Sequence, residues 1–125
     1  MTGYLIVTGI IFLLVGLRAL LKPIEAVAIP FDLQAEGVDA KHYLRSGAGG
    51  VTIACGAVMV AAGGFLPSLE LPALVVSVTV LGGLLFGRAV SVALDGSPGF
   101  IAWFSAVLEL IGFGFGLFWF WKAMA

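Results

Sequence analysis

Charge is scarce in this sequence of 125 residues. Six basic and seven acidic side chains make up 10% of it, against roughly 25% in an ordinary soluble domain. Hydrophobic residues reach 62%, with a mean hydropathy of +1.19. A water-soluble domain of this size must cover itself with polar groups, and this chain lacks them. Disorder is excluded by the same surplus of apolar residues. Cysteine occurs once, at Cys55, so no disulfide scaffold exists, and its place in an apolar stretch suits small-residue packing. Histidine also occurs once, at His42. No metal-ligand spacing can be assembled, and a haem held by two histidines is impossible. The net charge of −1 offers no basic surface for nucleic acid. The 18 glycines follow no three-residue period, which excludes a collagen-like chain.

What remains is apolar sequence in long runs. A membrane helix needs about 20 mostly apolar residues. Four stretches qualify, at about 2–21, 40–66, 70–94 and 98–123. The expected fold is an all-α integral membrane four-helix bundle, antiparallel, as one domain over residues 1–125. Pro23 ends the first span, Asp39 can cap the second, Pro67 closes it, and Ser68 with Pro72 opens the third. In the run Asp95-Gly96-Ser97-Pro98, Gly96 suits a left-handed stop, Ser97 an N-cap and Pro98 a first helical position. The connection 22–39 is longer and holds Glu25, Asp32, Glu36 and Asp39. It is expected at the interface, with Ile24, Val27, Ile29, Phe31 and Leu33 against lipid or the bundle end. Ala26-Val27-Ala28 has the form of a signal-cleavage site, but Arg18 and Lys22 precede it, so an uncleaved span is expected. Arg18, Lys22, Lys41, Arg45 and Arg88 lie towards the odd connections and only Lys122 towards the termini. The positive-inside rule therefore puts those connections in the cytoplasm.

In lipid, helices associate through small residues and polar contacts. The fourth span carries a stripe of both: Pro98, Ala102, Ser105, Glu109, Gly112 and Gly116. The second carries His42, Arg45, Gly49, Thr52, Gly56, Met59 and Gly63. The third carries Ser77, Leu84, Arg88, Ser91 and Asp95, with Gly83 and Gly87 at small-xxx-small spacing; the first offers Gly9 and Gly16. The glycines read as packing positions. Phe100, Trp103, Phe104, Phe115, Phe118 and Trp119 suit lipid, and Trp119, Trp121 and Lys122 an interfacial anchor.

These stripes bring charges to one level. At about 1.5 Å per residue from the loop side, Arg45 lies roughly 8 Å deep, Arg88 roughly 10 Å and Glu109 roughly 17 Å. Either arginine can reach Glu109. Asp95 lies two turns above Arg88, with Ser91 between. A lone carboxylate at this depth is expensive. The cluster Arg45, Arg88, Ser91, Asp95 and Glu109 is formally neutral. It reads either as an ion-pair lock or as a polar pocket for a headgroup, a quinone ring or a proton. No catalytic residue and no cofactor follow from it.

The run Gly87-Arg88-Ala89-Val90-Ser91-Val92-Ala93-Leu94-Asp95-Gly96-Ser97-Pro98, followed by Glu109-Leu110, resembles the signature of a family of small bacterial four-helix membrane proteins known as domain of unknown function 4345. Arg45 with Gly49-Gly50 matches a further part of that pattern, and Ala48 stands where the family more often has an aromatic. The resemblance covers nearly the whole chain. It implies the same fold and polar residues, a multi-pass place in a bacterial inner membrane, and no established activity. The family resembles, more distantly, DoxX-like four-helix proteins, some linked to quinone or sulfur metabolism. The expected function is a non-enzymatic accessory or assembly subunit, or a bundle binding lipid or quinone, with membrane lipid or a larger membrane complex as partner. The alternatives are a quinone-linked oxidoreductase component and a small oligomeric transporter using Glu109.

Overall fold

The computed structural model describes residues 1–34 and 36–125. Four helices in it are long and apolar enough to cross a membrane: α1 (Thr2–Leu21), α2 (Val38–Gly64), α3 (Glu70–Asp95) and α4 (Phe100–Met124). No strand occurs among the described residues. The short turns after α2 and α3 force antiparallel neighbours. Between α2 and α3 lies one 3-10 turn, Pro67–Leu69. The longer connection after α1 contains one wide turn, Ile24–Ala28, and Asp32 at φ 57, a left-handed conformation that Asp tolerates better than most side chains. Ala28 there is buried, while Ile29, Phe31 and Leu33 are exposed.

The tightest seam joins α1 to α2, and glycine makes it. A Cβ built on Gly56 would lie 2.7 Å from the Gly9 carbonyl oxygen and 2.9 Å from the Leu13 nitrogen. Gly49 sits equally close to the Leu20 backbone, at 3.0 Å, and Gly63 lies against Ile6 and Thr2. Where lipid tails are as apolar as leucine, such backbone approach is what holds two helices together. Beside this seam, at the end of the bundle shared by the two termini, Leu5, Met59, Ala62, Ala73 and Leu74 form the core. At that end the Thr2 hydroxyl donates to Glu70 Oε1 at 2.6 Å, tying α1 to the start of α3. Only Gly116 of α4 is fully buried. The other faces of α4 present Phe100, Phe104, Leu108 and Phe115, as a lipid-facing helix does.

Several local expectations need correction. α2 starts with Gly37 as its N-cap, so Asp39 lies in the first turn and caps nothing. α4 starts at Phe100 behind an extended Gly99, so Ser97 is no N-cap and Pro98 no first helical residue. A proline disfavours helical geometry in the residue before it, which keeps Ser97 outside the helix. The Ser97 hydroxyl instead accepts from Trp103 Nε1 at 2.9 Å. Gly96 does take a positive φ, 90°. Gly83 and Gly87 face open space, and Gly82 is the glycine of α3 that meets α4, through Phe113. Trp119 packs on the core rather than in lipid, while Trp121 is exposed.

With both termini at one end, cysteines introduced at Ala125 and Gln34 in a Cys55→Ser background should be labelled from opposite sides of intact vesicles. Labelling of both from one side contradicts a four-span path.

Candidate functional site

Helix direction builds the central contact. In an α-helix every Cα–Cβ bond tilts towards the N-terminus. Arg88 lies about 10 Å from the loop-side end of α3 and its side chain leans deeper into the bundle; Glu109 lies about 14 Å into antiparallel α4 and leans back towards the loops. The two tips converge. Arg88 Nε donates to Glu109 Oε2 at 2.6 Å and Arg88 Nη2 to Oε1 at 2.7 Å, a two-pronged ion pair. Fork-to-fork pairing of this kind fixes orientation as well as charge.

The same rule separates the other members of the sequence-read cluster. Arg45 stands near the start of α2, so its side chain leans towards the loops, away from Glu109. Its Nε donates to the Leu20 carbonyl at 2.8 Å, satisfying one of the free carbonyls that end α1. Asp95 and Ser91 are exposed near the end of α3 and make no hydrogen bond or ion pair with Arg88 or Glu109. The guanidinium of Arg88 points the other way and is held by Glu109. The four-charge network is therefore corrected to a pair, with Arg45 serving α1.

Around this pair the stripe of α4 meets its neighbours. Gly112 faces Leu81 of α3, at 3.1 Å from a built Cβ. Gly116 faces Val78 and the Tyr4 hydroxyl, at 2.8 and 2.6 Å. Tyr4 donates its single proton to the Gly112 carbonyl at 2.9 Å. Its 2.8 Å bond to Ser77 must then run from the fully buried serine hydroxyl to the phenol oxygen. One phenol thus joins α1, α3 and α4. Sequence reading passed over Tyr4. The usable signal was the gap left by Gly112 and Gly116 at the depth of the first turns of α1, which calls for a large side chain from opposite.

Above Tyr4, α1 and α4 part. A cleft of about 530 Å³ opens between them. Its walls are apolar, from Val7, Ile11 and Phe12 on α1 and Leu108, Ile111 and Phe115 on α4. Tyr4, Thr8 and Glu109 bring hydroxyl and carboxyl groups to it, and Trp119 an indole. From Trp119 at one end to Glu109 at the other it runs about 15 Å along α4. Among the described residues, no three His, Cys, Asp or Glu side chains come together as a metal site.

The family described as Domain of unknown function (DUF4345) matches residues 1–121. This chain belongs to it. The match spans all four helices, including Arg88, Glu109, Tyr4 and the cleft, so the site lies within the part that defines the family. No curated protein and no solved structure matches the chain, and the more distant DoxX-like likeness gains no support. The family description carries no activity, which leaves the chemistry of the cleft as the guide to function.

Proposed function

We propose that this protein is a non-enzymatic multi-pass bundle of the bacterial inner membrane that holds a neutral amphiphile in the α1–α4 cleft. The observation that carries this reading is an apolar cleft with one carboxylate at its end. Binding sites for small molecules have this character, apolar walls with a few placed polar groups. The pair Arg88–Glu109 is neutral as a unit, so a charged head would enter without a counter-charge. Glu109 offers about four lone-pair positions, of which Arg88 uses two. The remaining ones can accept a hydrogen bond from a hydroxyl. A quinol, or a lipid with a hydroxyl head, fits that description, with its chain along Ile111 and Phe115. The inner-membrane placement rests on the helical spans and the family resemblance.

A second reading, the accessory subunit, draws on the bare aromatic face of α4. One experiment separates the two. Gentle detergent extraction followed by mass spectrometry should find a hydroxyl-bearing amphiphile at near one per chain. Thr8→Trp, which fills the cleft from α1, should release it while the protein stays folded. Retention of only bulk lipid in its membrane proportions defeats the cleft reading, and a stoichiometric protein partner supports the subunit reading.

A further inference from the structure

A second cavity, of about 550 Å³, lies at the loop-side end of α1 and α2, away from the cleft. Lys41, His42, Arg45 and Ser46 line it, with Leu20 and Gly50. Their spacing, i, i+1, i+4 and i+5, sets them on one side of α2. Lys41 is half-buried, and no carboxylate lies within ion-pair distance of it; the one ion pair among the described residues is Arg88–Glu109. The acids of the neighbouring connection (Glu25, Asp32, Glu36 and Asp39) leave it unpaired. Arg45 spends Nε on Leu20, and its two terminal nitrogens have no partner among the described residues. Ser46 has given its proton to the Tyr43 carbonyl, so it contributes no donor. At about 1.5 Å per residue, Lys41 and Arg45 stand roughly 5 and 10 Å into α2, the depth of the headgroup layer and the first acyl carbons.

We propose that this cavity binds a phosphate-bearing anionic group, with Lys41 and the free edge of the Arg45 guanidinium as donors and His42 at the rim. Three features point to it. Unpaired cations line a concave site between helices, and such basic pockets take anionic headgroups. Leu20 and the exposed Val38 add apolar lining, suited to a glycerol and its first acyl carbons. The wide-turn stretch Arg45–Val51 begins at Arg45 itself, with open space beside Gly47. Such i→i+5 stretches interrupt α-helices frequently at functional sites. The Arg45–Leu20 bond gives the arginine a fixed orientation before any ligand arrives.

The source of the phosphate, an anionic phospholipid or free phosphate, is separated by competition. Purified full-length protein is titrated with short-chain phosphatidylglycerol, with phosphatidylcholine and with inorganic phosphate, and bound lipid is read by native mass spectrometry. Phosphatidylglycerol is expected to bind more tightly than phosphatidylcholine. Lys41→Gln should weaken it about fivefold, the equivalent of about 1 kcal/mol for one basic group at a membrane surface, and Lys41→Arg should restore it. Lys41 reaches solvent, so this variant keeps the fold; Arg45→Gln also removes a cap from α1 and is the secondary variant. Displacement of the lipid by millimolar inorganic phosphate identifies free phosphate as an alternative occupant of the same site. Equal binding of both lipids with no phosphate competition, or a Lys41→Gln variant that binds as the parent does, overturns the proposal.

Discussion

Glu109→Gln is expected to destabilise the bundle by about 3 kcal/mol or more, read as a shift in reversible unfolding in mixed micelles. The carboxylate takes two charge-assisted bonds from Arg88, at 2.6 and 2.7 Å. A glutamine keeps one acceptor and turns an amide towards the guanidinium, so one bond is lost and a full charge is left without its partner. The side chains of Arg88 and Glu109 are 29% and 15% exposed, but at this depth the exposed part meets hydrocarbon or the cleft rather than bulk water. Arg88→Met should also destabilise the bundle, because the Glu109 carboxylate loses both of its charge-assisted donors. Removing both charges, with Arg88→Met and Glu109→Leu together, should recover most of the stability, since a buried pair replaced by apolar groups is often neutral. A Glu109→Gln protein within 0.5 kcal/mol of the parent, a margin typical of surface changes, contradicts the pair as a lock.

A glycine series should give the second large effect. Gly56→Leu pushes a side chain into the Gly9 carbonyl and the Leu13 nitrogen, both backbone atoms that cannot move aside. Overpacking usually costs about 1–3 kcal/mol, and a collision with two backbone groups belongs at or above the top of that range. Gly116→Leu strikes the Tyr4 hydroxyl and Val78, so it should also break the bonds of Tyr4 to Ser77 and Gly112. Gly83→Leu, on the same scale, should change stability little, because open space surrounds that position. Equal losses at Gly56, Gly116 and Gly83 would mean that the effect comes from helix propensity or lipid contact and not from close approach.

The helices were legible because hydropathy is a one-dimensional property. The first span runs over Thr2–Leu21 in both readings, and the others differ by a few residues where caps intervene. The glycine stripe of α4 was legible for the same reason, since a regular helix keeps heptad counting in phase. In α2 the count holds for Gly49, Gly56 and Met59, which are buried, while His42 and Arg45 at its start are exposed and Arg45 still reaches the end of α1. Depth placed Arg45, Arg88 and Glu109 within reach of one another. Side-chain direction, which depth ignores, joined only the last two. The Leu20 carbonyl that takes Arg45 is a backbone acceptor and leaves no mark in a pattern of side chains. The cleft was not legible at all, because it depends on how far α4 swings from α1 above Tyr4.

The rim of that cleft lies among Val7, Ile11, Leu108, Ile111 and Phe115, all more than half exposed. Its mouth therefore opens sideways into the acyl layer. A guest dissolved among the tails arrives by lateral diffusion and never has to cross water. Occupancy is then governed by the guest's mole fraction in the hydrophobic phase, and the volume of buffer around it is thermodynamically idle. Detergent added during extraction enlarges that phase and dilutes the guest by mass action. For the amphiphile proposed for this cleft, two preparations that differ only in detergent excess should contain one polypeptide in two states of loading.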